Sequence, residues 1–258
     1  MRFGRFRGGG TPVRRRVARF GACRRLHYAR AMDLAGKFIV FDGPDGSGKG
    51  TQIQLVRSWI ESSGTPCVYA KDPGGTAIGD RIRHILLGYD LSEMAPRCET
   101  LLFMASRAQL VAEVVRPALE AGRTVLGDRF ISATLAYQGA LGVAADLILD
   151  LGRLAVGEVW PHLTIVLDVP PELGFRRTGR SLEAGASRRR TRDGDQLDMF
   201  GDTHADAMEL RPIEFHERVR ARFQSLADHY PRPVVTIDAT RPPEAVFESI
   251  RGALERAF

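Results

Sequence analysis

Hydrophobic positions along the chain fall into short β-branched or aromatic runs separated by segments with helical spacing. The first run, "KFIVFD" (37–42), enters a glycine-rich turn, as a buried parallel strand does. In "TQIQLVRSWIESSG" the apolar residues Ile53, Val56, Trp59 and Ile60 recur at helical spacing, and Gly64 ends the pattern. "PCVYA" (66–70) reads as a second strand and "IGDRIRHILLG" (78–88) as a helix. After Pro96 a longer helical stretch, "ETLLFMASRAQLVAEVVRPALEAG", runs to Gly122. Further strands are predicted at "RTVLGD" (123–128), "HLTIVLDV" (162–169) and "PVVTIDA" (233–239), and "PEAVFESIRGALERAF" closes the chain as an amphipathic helix. Strands alternating with helices imply right-handed βαβ units. The fold class is therefore α/β: a three-layer arrangement with a central parallel sheet of about five strands flanked by helices.

One region breaks this rhythm. "GRSLEAGASRRRTRDGDQLDMFGDTHADA" (179–207) is polar and charge-dense, with Arg188, Arg189, Arg190 and Arg192 clustered. It is too long for an ordinary connection, so it is expected to be either a functional lid or a disordered insertion, spanning about 176–208. No internal repeat is present.

Composition changes the picture at the N-terminus. The net charge of +6 comes from residues 1–32, which hold ten arginines and no acid. Without them the 37 basic residues fall to 27, against 31 acidic. The basicity belongs to a tail, so binding of nucleic acid by the folded part, 33–258, is not expected. The tail has neither a sustained helical period nor the apolar core of a secretory signal. A disordered arm, an upstream over-extension with Met32 as the true start, and an Arg-rich transit peptide all fit it.

At 258 residues and 44% hydrophobic, the chain can bury one sizeable core. No run approaches the roughly 18 apolar residues of a membrane span, so a soluble protein with no membrane partner is expected. Three cysteines without a C-x-x-C pair argue against a disulfide framework or zinc site and fit a reducing, cytoplasmic compartment.

Candidate chemistry begins at "FDGPDGSGKGT" (41–51), where Gly43 to Lys49 have the spacing of a phosphate-binding loop, G-x-x-x-x-G-K. Glycines let backbone N–H groups approach phosphate oxygens, and the following helix presents its positive end. The expected nucleotide cradle is Gly43, Pro44, Asp45, Gly46, Ser47, Gly48, Lys49, Gly50 and Thr51, with Lys49 reaching the β/γ-phosphates of the nucleotide. The position after the lysine, usually Ser or Thr, is Gly50, and the hydroxyl arrives one residue late at Thr51. Mg²⁺ must then be held mainly by phosphates, water and a carboxylate elsewhere. Asp128, at the carboxyl end of "TVLGD", is the first candidate, and Asp168, after "TIVL", the second. A GTP-binding switch would need a guanine-reading N-K-x-D, and the chain contains no asparagine.

"FIVFDGPDGSGKGTQ", "DPGGTAIGDRIRHILL", "LLFMASRAQLV", "GDRFISATLAYQG" and "LDVPPELGFRR" occur in the order and spacing of thymidylate kinase, and the chain resembles that P-loop kinase family over about 36–258, apart from the Arg-rich insertion. The resemblance implies ATP-dependent phosphorylation of dTMP to dTDP with Mg²⁺, a closing lid, and a homodimer. It further implies that Asp45 accepts a hydrogen bond from the substrate 3′-hydroxyl, that Phe103 stacks on thymine, and that Arg107, four residues on and on the same helix face, donates to a base carbonyl. Arg129 would clamp the acceptor phosphate, Tyr137 would exclude a ribose 2′-hydroxyl, and Gln138 would lie near the nucleoside. "KDPGGT" (71–76) matches a substrate-side loop the family usually writes "REPGGT", which implies a substrate-binding role for Asp72, with Lys71 and Asp72 keeping the charges of R-E. Two departures bear on catalysis. Ala207 stands where a lid arginine is expected, and Gly46 where one branch of the family carries an arginine in its phosphate loop. Arg176, Arg177, Arg180 or the 188–192 cluster would have to supply the bridging cation, with Arg180 or a close neighbour favoured. "GKGTQ" also fits a kinase for another nucleoside monophosphate, and Ala207 a catalytically weak nucleotide-binding protein.

Overall fold

Phenylalanine and β-branched residues alternate through Phe38–Asp42, and all five are buried as the central strand, β1. The computed structural model describes residues 33–88, 94–179 and 211–258. Among them β1 is followed by α1 (Lys49–Ser62), β2 (Cys67–Lys71), α2 (Ala77–Gly88) and α3 (Pro96–Leu110). A π turn (Val111–Val115) leads to α4 (Arg116–Glu120), β3 (Thr124–Asp128), α5 (Ile131–Ala140) and α6 (Ala145–Val156). β4 (Leu163–Asp168), α7 (Pro171–Arg177), α8 (Ile213–Gln224), β5 (Val234–Asp238) and α9 (Pro243–Ala257) complete the order.

The five strands form one sheet in the order β2-β3-β1-β4-β5, every neighbouring pair parallel. Strand order reverses at β1, which lies between β3 and β4. The loop leaving β1 therefore emerges at the crevice where ligands of open α/β sheets bind. On one face Phe38, Val40 and Val125 join a core with α3, α5 and α8, and Phe38 meets Phe130 edge to face at 5.1 Å. On the other, Ile39 and Phe41 are buried, as are Ile53, Val56 and Ile60 of α1 and Val246, Ile250 and Leu254 of α9. Trp59 is only half-buried and packs on Phe247 at 6.2 Å.

Two helices depart from simple periodicity. The stretch expected to be one helix to Gly122 is interrupted by the π turn, just ahead of Pro117, whose ring has no N–H for a carbonyl four residues earlier. In α5, residues Ile131–Gly139 are all buried, so no polar face exists to mark it as amphipathic. Its Ser132, Thr134, Tyr137 and Gln138 each find a partner inside the protein. Among the described residues, no helix is long and apolar enough to cross a membrane.

Candidate active site

The phosphate-binding loop runs from the end of β1 into α1, and its glycines are demanded by close approach. Gly43 has φ 136, and a Cβ there would lie 2.4 Å from the Leu167 carbonyl oxygen. Gly46 has φ 71, and its Cβ would lie 2.3 Å from the Gly174 oxygen; a Cβ at Gly174 would in turn lie 2.3 Å from the Asp45 oxygen. Loop and α7 thus touch main chain to main chain. An arginine at position 46 is closed to this chain by that contact, which accounts for one departure from the family pattern. Gly50 is different: it is exposed in the first turn of α1, and a Cβ there meets nothing within 4 Å.

Lys49 is half-buried and folds over its own loop, donating to the carbonyls of Gly43 (3.0 Å) and Pro44 (3.1 Å) and to Ser47 Oγ (3.4 Å). Burial, and then the nearby Arg129 charge, lower its ammonium pKa to about 8. Arg129 is the one non-glycine among the described residues with a left-handed backbone, φ 68. Such a conformation costs about 1–3 kcal/mol and persists where the surroundings over-determine it. Here its N–H donates to Phe41 O at 2.9 Å, and Nη2 reaches Asp45 Oδ1 (2.7 Å) and the Tyr137 hydroxyl (3.2 Å). The guanidinium lies over the Tyr137 ring at 4.9 Å, and Tyr137 itself donates to Asp45 Oδ1 at 3.0 Å. Asp45, Arg129 and Tyr137, predicted from separate motifs, therefore form one hydrogen-bonded cluster beside the loop.

Arg107 is 1% exposed. Nε pairs with Asp72 Oδ2 at 2.5 Å, Nη2 donates to Phe130 O (3.1 Å) and Thr134 Oγ1 (3.2 Å), and Nη1 has the Met104 thioether at 3.1 Å. Phe103, one turn earlier on α3, is half-buried against the core. Asp72 is thus a buried counter-charge to Arg107, and its other oxygen, Oδ1, has no hydrogen-bond partner. Gln138 is buried as well and donates to Glu99 Oε1 at 3.3 Å, while Arg211 approaches Glu99 Oε2 at 3.5 Å.

The carboxylates divide by what they already hold. Asp42, missed in the sequence, accepts from Gly43 N (3.1 Å) and Ser132 Oγ (2.7 Å), with Arg129 Nη1 at 3.6 Å. Burial pushes its carboxyl above the ordinary range, against the pull of Arg129 and Ser132. Its only sequence signal is an acid placed directly before the first loop glycine. Asp168, the second metal candidate, is taken by Arg220 through two bonds of 2.8 and 2.9 Å and by Gln224. Asp128 is half-buried at the end of β3 and, among the described residues, has one side-chain partner, the Tyr69 hydroxyl at 2.8 Å. No cluster of three or more His, Cys, Asp or Glu able to hold a metal occurs among the described residues. The residues present fit a magnesium ion carried in mostly by phosphates and water, with Asp128, of the two candidates, the carboxylate that pairs with no arginine among the described residues.

Arg177 is held by main-chain carbonyls, those of Ala239 (2.9 Å), Thr240 (3.2 Å) and Gly46 (3.4 Å). Arg176 is exposed, whereas Arg180, the 188–192 cluster, Ala207 and residues 1–32 lie outside the described residues.

Comparison with known proteins identifies the family to which the chain is similar. A family model described as thymidylate kinase matches residues 41–250. A thymidylate kinase of Pelotomaculum thermopropionicum is 42% identical over 226 residues, covering 87% of this chain and 95% of its own. One from an Exiguobacterium species is 41% identical over 218 residues, covering 84% and 93%. The crystal structure of thymidylate kinase from Ehrlichia chaffeensis is similar with a TM-score of 0.62 at 26% identity, covering 85% of this chain and 98% of that one.

Proposed function

We propose, since the chain belongs to the thymidylate kinase family and is a phosphotransferase making dTDP from dTMP and ATP, how its residues divide that work. The observation that carries the assignment is the meeting of Lys49, Asp45, Arg129 and Tyr137 at the carboxyl end of β1. A dTMP phosphate oxygen attacks the γ-phosphorus of ATP, the bond to the β,γ-bridging oxygen breaks, and ADP leaves. The nucleophile is already anionic, so positioning and charge neutralisation suffice and no strong base is required.

Lys49 exchanges its loop carbonyls for β/γ-phosphate oxygens, and Arg129, held from two sides by Asp45 and Tyr137, presents its guanidinium to the acceptor phosphate. Asp45 takes the 3′-hydroxyl, Tyr137 fills the space a 2′-hydroxyl would need, and Phe103 stacks on the base. Gln138, tied to Glu99, lines the nucleoside side from behind. Arg107 is anchored by Asp72, and Nη1, whose partner is only a thioether, is the nitrogen left for a base carbonyl. Magnesium supplies charge neutralisation between phosphates when bound, and Asp128 is the carboxylate assigned to hold it. With Arg177 spent on carbonyls, the bridging cation falls to Arg176 or Arg180. Exposed Ile78 and Ile85 on α2 and Leu101 on α3, two helices that pack together, support a homodimer through that face. Residues 33–258 form the catalytic domain, and a cytoplasmic location fits its unpaired cysteines.

ADP release measured against a panel of nucleoside monophosphates tests the reading, with dTMP expected to be the preferred acceptor. Lys49→Ala should abolish transfer while circular dichroism stays unchanged. Activity within a few-fold of the parent in that variant would remove the phosphate loop from the mechanism.

A further inference from the structure

Asp42, Asp45, Asp72 and Asp168 each accept from an arginine or lie beside one, and Asp42 and Asp45 also hold hydroxyl donors. Asp128 stands apart. Its charge acts on both Lys49 and Arg129, yet it makes no ion pair among the described residues. The only side-chain donor it has there is Tyr69 Oη, at 2.8 Å to Oδ2. The contact crosses the sheet diagonally. In the parallel register Lys71, not Tyr69, stands opposite Asp128, and Tyr69 stands opposite Leu126. Diagonal neighbours of this kind are within reach of an aromatic side chain. The Tyr69 ring is 42% exposed on the edge strand β2, so burial does little to fix it, and the hydroxyl bond sets where it points.

We infer that Tyr69 is a positioning residue for the metal: its hydroxyl fixes Asp128 Oδ2 and so leaves Oδ1 as the acceptor offered to magnesium or its bound water. The inference rests on the assignment of Asp128 above. A carboxylate freed of this bond would be free to turn, and the oxygen it offers a metal would no longer be fixed. Orientation matters more here than in a loop with Ser or Thr after its lysine, because Gly50 contributes no side-chain oxygen. An outer partner of a metal-holding side chain commonly carries about 10–100-fold in metal affinity.

The test uses the full chain with ADP and Mn²⁺ as the probe, read by electron paramagnetic resonance of free Mn²⁺. Tyr69→Phe keeps the ring and removes only the hydroxyl, and Asp128→Asn is the reference. Expected is an Mn²⁺ affinity about tenfold weaker in Tyr69→Phe and at least as weak in Asp128→Asn, with metal-free ADP affinity and thermal stability unchanged in Tyr69→Phe. If Asp128→Asn weakens Mn²⁺ and Tyr69→Phe does not, Asp128 keeps its assignment and the role of Tyr69 is overturned. If neither variant weakens it, both assignments fall, while the Lys49→Ala assay still judges the kinase reading on its own. A Tyr69→Phe variant that loses metal-free ADP binding equally would show a general disturbance of the site and would also overturn the inference.

Discussion

Replacing Arg107 by alanine should damage the fold before it damages substrate recognition. The side chain is 1% exposed and its donors serve Asp72, Phe130 and Thr134, so truncation leaves the Asp72 carboxylate buried without its counter-charge. Removing one partner of a buried ion pair costs about 3–5 kcal/mol. At roughly 2–4 °C per kcal/mol for a domain of this size, the melting temperature should fall by about 6–20 °C. The deficit should also depend on pH. Burial already pushes the Asp72 carboxyl above its ordinary value, with Arg107 as the main opposing charge. Without Arg107 the folded state binds a proton more readily than the unfolded chain does, so stability falls as pH rises through the raised pKa. The variant should therefore lie closest to the parent in mild acid and farthest at neutral pH. Adding Asp72→Asn removes the orphaned charge and should recover part of the loss. Thermal melts of the parent, the single and the double variant from pH 5 to pH 8 measure all of this. An Arg107→Ala melt within about 2 °C of the parent at every pH, with only a raised KM for dTMP, would refute the buried-pair argument and put Arg107 on the base alone.

Lys49 titrates near 8 in the nucleotide-free site, and phosphate contacts favour its charged form, so ATP binding should take up a proton above that pH. Affinity should fall up to about tenfold per pH unit above 8, and calorimetry in buffers of different ionisation heat should show the uptake; a flat profile from pH 7 to 9.5 would count against it. Tyr137→Phe should weaken dTMP binding by loosening Asp45 and Arg129 while leaving the dUMP/UMP preference intact, whereas Tyr137→Ala should relax that preference; kinetics with both acceptors decide. Gly50→Ser places a Cβ in open space on a helix, so it should stabilise by about 0.5 kcal/mol and lower the Mg²⁺ concentration needed for half-maximal rate; an unchanged Mg²⁺ titration would show that this position does not meet the metal.

Features written locally in the chain were legible in the sequence. The strands were found to within a residue or so at each end. Burial on both faces imposes a continuous apolar run on the three inner strands, while β2 and β5 at the edges, only partly buried, were legible from their β-branched and aromatic content. The phosphate loop was legible for a similar reason, since glycines, lysine and the helix that follows lie within a dozen residues. Spacing also placed Phe103 and Arg107 on one helix face, but spacing says nothing about what that face meets. Arg107 turns inward because Asp72, 35 residues away, waits at the end of β2. Gly46 is small because Gly174 lies against it, a packing fact that no local pattern carries.

The same limit governs the acids, and it has a chemical consequence. In sequence Asp42, Asp128 and Asp168 are alike, each closing an apolar strand. The fold separates them by what each has already been given among the described residues: Ser132, a loop N–H and Arg129 to Asp42, Arg220 to Asp168, and a single neutral hydroxyl to Asp128. A carboxylate paired with arginine already faces a cation, while one held by a phenol meets a neutral donor and loses only its freedom to turn. The proposed magnesium site therefore depends less on where the acids occur along the chain than on which of them, among the described residues, meets no arginine.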